Sequence, residues 1–281
     1  MRRLGEAGYP VPRVEGFGDA AAGFGRPFLV MERINGTSLE AAYWSAPEEQ
    51  QAQCHTLHGA LMVRLHALEG RAILPNSPLA QAAAGDPYAA IDAEQATLAW
   101  QCDQLEGTEP RCLREALAWL SGRRATVACE RPVVVHGDFH RNNVLLRAGG
   151  DGGASPVVID WSNVRLADYR TDLAWTRLIA SLAGSGGGPM NVALYERLAG
   201  RRVSDLSYFE VAACLRLLLS VLLILRFGAS RQGLRPEVEV RTRNEADPAR
   251  QVAGWLEQIT GLPMRGFDAA LTARTWRGLT E

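Results

Sequence analysis

The chain contains no lysine; all 30 of its basic residues are arginine. No side-chain ammonium is therefore available anywhere along it. Arginine is not a simple substitute, because its planar fork is bulkier and differently hydrated. Nothing in a fold demands such a set, and genome composition bias accounts for it. Net charge is almost absent as well. At −1 over 281 residues, the chain offers no electrostatic reason to expect nucleic acid or an anionic membrane as partner. Cysteine is sparse: Cys54, Cys102, Cys112, Cys129 and Cys214 form an odd set without CxxC pairs. Such a set reads as reduced thiols of a cytoplasmic protein. Arg2 and Arg3 are followed by Gly, Glu and Pro rather than an apolar run, so no secretory signal is legible. No internal repeat is visible.

Apolar material is plentiful, at 47% of the residues, and suffices for a substantial core. The run from Val211 to Phe227 looks like a membrane span. It is short for crossing a bilayer and holds Arg216 inside it and Arg226 near its end. A buried helix is the better reading, and no membrane is expected.

Punctuation sets the organisation. Residues 1–34 read as two or three strands joined by glycine turns, with Gly16-Phe17-Gly18-Asp19 and Gly23-Phe24-Gly25 as hairpin turns. Asn35-Gly36-Thr37-Ser38 ends a strand and caps a helix from about Leu39. Pro47-Glu48-Glu49 opens another, with Leu57, Leu61, Leu65 and Leu68 at helical spacing. Pro75 to Pro87 is a broken connection. Helices are expected near 88–105, 110–122, 171–183, 190–199, 205–228 and 249–260. Ser185-Gly186-Gly187-Gly188-Pro189 is a break, and residues 228–248, rich in charge, Gly and Pro, read as a loop or a partly disordered segment.

Two β-branched runs carry the chemistry. Val133-Val134-Val135 leads into His136-Gly137-Asp138-Phe139-His140-Arg141-Asn142-Asn143, and Val157-Val158-Ile159 leads into Asp160-Trp161. Each reads as a buried strand whose end displays a short acidic side chain toward a cleft. Asp138, Asn143 and Asp160 supply only hard oxygen donors, which suits Mg²⁺. The two strands side by side, with Gly149-Gly150-Asp151-Gly152-Gly153 as the hairpin tip between them, would gather all three. The alternative is that they merely decorate turns, since Asp and Asn are common turn formers. Other constellations are weaker. His55, His58 and His66 share a helix but lack the His-Glu-x-x-His spacing of a zinc site. Gly137-Asp138-Phe139-His140 has something of a metallophosphoesterase, but no His follows His140 to hold a second metal.

His136-Gly137-Asp138, with Asn143 five residues after the Asp, resembles the catalytic loop of the aminoglycoside phosphotransferases and their choline kinase-like relatives. Ile159-Asp160-Trp161 is similar to the family's metal-binding strand end. Ala167-Asp168-Tyr169-Arg170-Thr171-Asp172-Leu173-Ala174 is similar to its Gly-Asp-Pro-x-x-Asp-Leu-Ala element, departing at Ala167 and Tyr169. Gly8-Tyr9-Pro10-Val11-Pro12 and Phe28-Leu29-Val30-Met31-Glu32-Arg33-Ile34-Asn35-Gly36 look like the strand and hinge between two lobes. Arg64-Leu65-His66-Ala67-Leu68 resembles the helix that follows. The likeness runs from about residue 4 to about residue 180.

The resemblance implies an α+β, protein-kinase-like fold. A truncated N-terminal β lobe, residues 1–34, would supply rear strands and hinge, and residues 35–281 a mostly helical C-terminal catalytic lobe. It implies a Mg²⁺-dependent kinase moving the γ-phosphate of ATP or GTP to a small-molecule hydroxyl. Asp138 would accept or orient the hydroxyl proton, His136 would brace the loop, and His140 would contact the phosphate. Asn143 and Asp160 would hold Mg²⁺ on the nucleotide. The backbone at Glu32, Arg33 and Ile34 would pair with the adenine edge. Asp168 and Asp172 would tie the loop together. Such enzymes also carry a loop over the phosphates and a gripping Lys on the strand after it. Neither is legible here, so the competing expectation is a nucleotide-binding relative that does not transfer. Residues 72–110 hold no basic residue but carry Asp86, Asp92, Glu94, Asp103, Glu106 and Glu109. In the resembling family helices after the hinge often line the acceptor pocket, so a cationic acceptor is one reading and a solvated helix face the other.

Overall fold

The computed structural model describes residues 1–19, 25, 27–81, 85–129, 131–148, 153–183 and 192–273. In chain order it gives α1 (Arg2–Glu6), β1 (Val14–Gly18), β2 (Phe28–Met31), β3 (Gly36–Ser38), α2 (Leu39–Ser45), α3 (Glu48–His66), α4 (Gly70–Ile73), α5 (Pro78–Gln81), α6 (Ala89–Asp103) and α7 (Arg111–Arg123). Then come β4 (Val133–Val135), β5 (Val144–Ala148), β6 (Ala154–Val158), β7 (Arg165–Ala167), α8 (Arg170–Leu182), α9 (Val192–Ala199), α10 (Leu206–Phe227), α11 (Pro236–Asn244), α12 (Asp247–Thr260) and α13 (Phe267–Thr272). They divide into two compact units, each assembled from separated stretches of chain.

The first unit comprises Met1–Ala82, Pro132–Thr176 and Gly188–Arg202. β1 and β2 pair antiparallel, Gly18 opposite Phe28. β3, β5 and β6 form an antiparallel sheet in that order, with Val144 opposite Val158 and Ala148 opposite Ala154. Gly36 is required at the β3 edge, because a Cβ there would collide with the Leu146 carbonyl. Ser38 ends β3 and caps α2, its hydroxyl accepting the Ala41 N–H at 3.1 Å. This satisfies one of the donors a helix start leaves open. α3 carries Glu48 and Glu49 in its first turn and Arg64 and His66 in its last, the order its dipole favours. Its buried residues include Leu61, Met62 and Leu65.

One expectation about strand pairing changes here. β4 pairs with β7, not with β6. All three valines of β4 are buried, so both faces of the strand are apolar and the pattern holds no clue to its partner. The strand carrying Asp160 is joined to the loop carrying Asp138 by other contacts, given below. The glycine tip expected between those strands lies, apart from Gly153, outside the described residues. So do residues 185–189 and, apart from Gly25, the Gly23-Phe24-Gly25 turn.

The second unit comprises Ala83–Arg131, Arg177–Gly187 and Val203–Glu281. α10 is its centre and packs on α6, α7 and α12. By length and composition α10 could cross a membrane, but 72% of its most apolar window is buried. Its Arg226 is held by the Leu105 carbonyl and by Glu106 Oε2 at 2.6 Å. That is the place of a core helix, as the sequence indicates. The acidic stretch of this unit is answered internally: Arg124 pairs with Asp92, Arg114 with Asp103 and Glu109, and Arg226 with Glu106. Residues 228–248 are not simply a loop. Pro236 opens α11, Glu237 and Glu239 fill its first turn, and Arg241 and Arg243 its last. Proline and charge are helix-start and helix-end signals as much as loop signals.

Candidate active site

Every residue of the site lies in the first unit. Buried β4 delivers the chain to His136, and Gly137 turns it at φ +78°. A Cβ at Gly137 would stand 2.7 Å from the Asn163 carbonyl oxygen, so a bare backbone is needed there. His136 is fully buried. Its Nδ1 accepts the Asp138 N–H at 3.3 Å, which leaves the ring proton on Nε2 to donate to the Ile159 carbonyl at 2.9 Å. The Ile159 N–H donates to the Asn143 carbonyl at 2.9 Å. Both polar groups of Ile159 are thus spent on the Asp138 loop, which holds the neighbouring Asp160 close to Asn143.

Asn143 is buried at the end of a 3₁₀ turn, Arg141–Asn143. Its Nδ2 donates to the Asp138 carbonyl at 2.9 Å and lies 3.5 Å from Asp138 Oδ2. This leaves Oδ1 as the atom to offer a cation. Asp160 sits in the left-handed region at φ 61°, and its Oδ1 accepts the Ser162 hydroxyl at 2.7 Å. Among the described residues no three His, Cys, Asp or Glu side chains gather to hold a metal by themselves. The oxygens of Asn143 and Asp160 fit Mg²⁺ in the way that ion is commonly held, by few protein donors with phosphate and water completing the shell.

The loop is fastened from outside. Asp172 is fully buried, and its two oxygens accept the His136 and Gly137 amides, each at 2.8 Å. His66 Nε2 lies 3.3 Å from the same carboxylate. Burial works against the Asp172 charge, but the His66 and His136 contacts outweigh it and hold the group below its ordinary value. Asp168 accepts the Arg170 amide at 2.9 Å and pairs with its guanidinium at 2.8 Å, fixing the start of α8. Arg141 anchors the far end of the loop to Glu40 at 2.7 Å and lies over the Tyr43 ring. Asp138 Oδ1 accepts the Trp175 indole N–H at 2.7 Å. His140 Nε2 is 3.5 Å from the same oxygen, while its Nδ1 is buried without a partner.

Beside Asp160 opens a cavity of about 730 Å³, lined by Arg2, Arg3, Phe17, Leu29, Met31 and Asp160 among others. Glu32, Arg33 and Ile34 do not line it. The Glu32 N–H is used by the Arg13 carbonyl, and its carboxylate takes the Arg13 amide and Arg147. The Arg13 hydrogen bond, seconded by Arg147, holds Glu32 below its ordinary value. No described hydrogen bond uses the Glu32 carbonyl or the Ile34 N–H.

Sequence reasoning missed Trp175, Glu40 and the His66 contact to Asp172. Trp175 sits three residues after Asp172, so helical spacing from that residue was the available signal.

The kinase-like fold is also that of solved structures. A candidate aminoglycoside phosphotransferase from Ralstonia eutropha superposes with a TM-score of 0.60 at 18% identity, over 91% of this chain and 81% of that one. A choline/ethanolamine kinase family protein from Mesorhizobium loti gives 0.57 at 17%, over 96% and 80%. The GDP complex of a variant aminoglycoside 2'-phosphotransferase gives 0.54 at 16%, over 95% and 81%. No curated protein matches by sequence. The profile of the phosphotransferase enzyme family (APH) matches residues 1–202. The chain belongs to that family.

Proposed function

We propose that the protein moves the γ-phosphoryl group of ATP or GTP to a hydroxyl of a small molecule, with Mg²⁺. The observation that carries this reading is Asp138. It is a carboxylate at the end of a buried strand, on a loop whose backbone is fixed by Asp172 and His136. Such transfer depends mostly on positioning and charge neutralisation. Asp138 takes the proton of the acceptor hydroxyl as its oxygen bonds to phosphorus and the bond to the nucleoside diphosphate breaks. Asn143 and Asp160 hold Mg²⁺, which neutralises phosphate charge when bound. His136 braces the loop and His140 faces the phosphate. The Glu32 carbonyl and Ile34 N–H, at either side of Arg33, pair with the base. Residues 1–34 act as the rear of a small lobe and 35–281 as the helical lobe, in a cytoplasmic protein. The GDP complex of the aminoglycoside 2'-phosphotransferase neighbour supports the nucleotide. The arginine partners of Asp92, Asp103, Glu106 and Glu109 offset the acidity that favoured a cationic acceptor. A second reading, nucleotide binding without transfer, has one observation behind it: the chain holds no lysine.

The test is incubation with MgATP or MgGTP and a panel of aminoglycosides, choline, ethanolamine and other small alcohols. A phosphorylated acceptor and nucleoside diphosphate are expected. Asp138→Ala should lower turnover about 10²- to 10⁴-fold without lowering Tm, and Asp160→Ala should weaken nucleotide binding in a Mg²⁺ titration. Asp138→Ala turning over like the parent would refute the assignment.

A further inference from the structure

α8 meets the Asp138 loop along a single face. Asp172, Trp175 and Thr176 stand at i, i+3 and i+4, the spacing that aligns side chains on one side of a helix. Asp172 takes the amides of His136 and Gly137, Trp175 donates to Asp138 Oδ1 at 2.7 Å, and the Thr176 hydroxyl donates to the Phe139 carbonyl. Four successive loop residues are thus fastened by three residues of one helix. Three of these contacts hold main chain. Of these four contacts, the indole's is the one that reaches the Asp138 carboxylate itself.

We propose that Trp175 is a positioning residue for phosphoryl transfer, holding the Asp138 carboxylate in the rotamer in which it meets the acceptor hydroxyl. The proposal rests on the reading of Asp138 as the proton acceptor. The Asp138 side chain is about a quarter exposed. A carboxylate in that position has rotamers to lose, and one indole N–H aimed at one oxygen removes that freedom. The hydrogen bond is charge-assisted and short, which gives it direction as well as strength. Two further polar neighbours are less well placed. Asn143 Nδ2 is 3.5 Å from Oδ2 and is committed to the Asp138 carbonyl, and His140 Nε2 is 3.5 Å from Oδ1. Trp175 itself is half-buried and touches no part of the cavity beside Asp160. Its loss should leave nucleotide binding as it is.

Two variants separate the hydrogen bond from the bulk of the ring. Trp175→Phe keeps an aromatic ring and removes the donor. Trp175→His keeps a five-membered ring with an N–H where the indole has one, and removes the fused benzene. Turnover of MgATP and MgGTP to the diphosphate is measured with and without the alcohol panel, beside Asp138→Asn. The expected result is that Trp175→Phe lowers kcat on the order of tenfold to a hundredfold, as misplacement of a reacting group does, with nucleotide KM unchanged. Trp175→His recovers part of that loss. In the Asp138→Asn background, Trp175→Phe has no further effect. A Trp175→Phe enzyme with parental kcat, beside an inactive Asp138→Asn, overturns the proposal and leaves the role of Asp138 standing. So does a Trp175→His enzyme no better than Trp175→Phe. Turnover retained by Asp138→Asn, or absent from the parent, overturns the reading of Asp138, and the role of Trp175 falls with it.

Discussion

His58 offers a quantitative check on the packing beside the site. It is fully buried on α3, tilted against the Phe139 ring at 4.8 Å, and its Nε2 has no hydrogen-bond partner. Burial, followed by the positive charges of Arg141, His140 and His55, pushes its pKa from 6.5 down to about 3. The group is neutral in the fold and protonates in the unfolded chain. Its contribution to stability is therefore complete above pH 6.5 and is lost as pH falls from 6.5 toward 3. At pH 5 the unfolded chain has gained about 1.5 units of protonation free energy, or roughly 2 kcal/mol at 1.36 kcal/mol per unit. His58→Leu keeps an apolar side chain of similar volume against Phe139 and removes both the titrating group and the unpaired nitrogen. At pH 7.5 the variant should match the parent or exceed it by about 1 kcal/mol, because an unsatisfied buried atom is gone. Urea unfolding followed by circular dichroism at pH 7.5, 6 and 5 reads the difference. The parent should lose about 2 kcal/mol more than the variant between pH 7.5 and 5. Parallel losses in the two proteins would show that His58 is not buried as a neutral ring, and would refute the reasoning.

Asp172→Asn should cost about 3 kcal/mol, because an amide donor then faces one of the two backbone N–H groups and the carboxylate charge is lost. Denaturant midpoints measure it, and a loss under about 1 kcal/mol would contradict the triple-acceptor geometry. Because the native carboxyl lies below its unfolded value near 3.8, its share of stability is present above that pH and lost as pH falls through the lower native value. The variant should therefore have a shallower acid limb below pH 4 than the parent. Gly137→Ala should cost at least about 1–2 kcal/mol, since φ is +78° and the new Cβ would meet the Asn163 carbonyl. A melting temperature equal to the parent's would mean that the loop backbone is freer than its contacts imply.

Local pattern made much of this fold legible. The helix openings at Ser38 and Pro47, the extents of α6, α7, α10 and α12, and the two β-branched runs all follow from residues within one or two turns of each other. What the sequence does not encode locally is pairing. β4 is apolar on both faces, and nothing in Val133-Val134-Val135 names β7 as its neighbour. The α11 helix was hidden by residues whose signals are ambiguous, since Gly and Pro end helices and also start or cap them. At the site, Asp138, Asn143 and Asp160 stood out because polar residues at the end of an apolar run are conspicuous. Trp175 did not, because an aromatic residue on an amphipathic helix is ordinarily core, and only the folded chain turns its N–H toward a carboxylate.

The fastening of four loop positions by one face of α8 also limits how this protein can be re-engineered. A helix borrowed from a homologue would need acceptor, donor and hydroxyl at matching places, or it would release main chain and carboxylate together. The residues from 133 to 176 are best transplanted as one cassette together with their anchors outside it, His66 on Asp172, Glu40 on Arg141 and β3 beside β5.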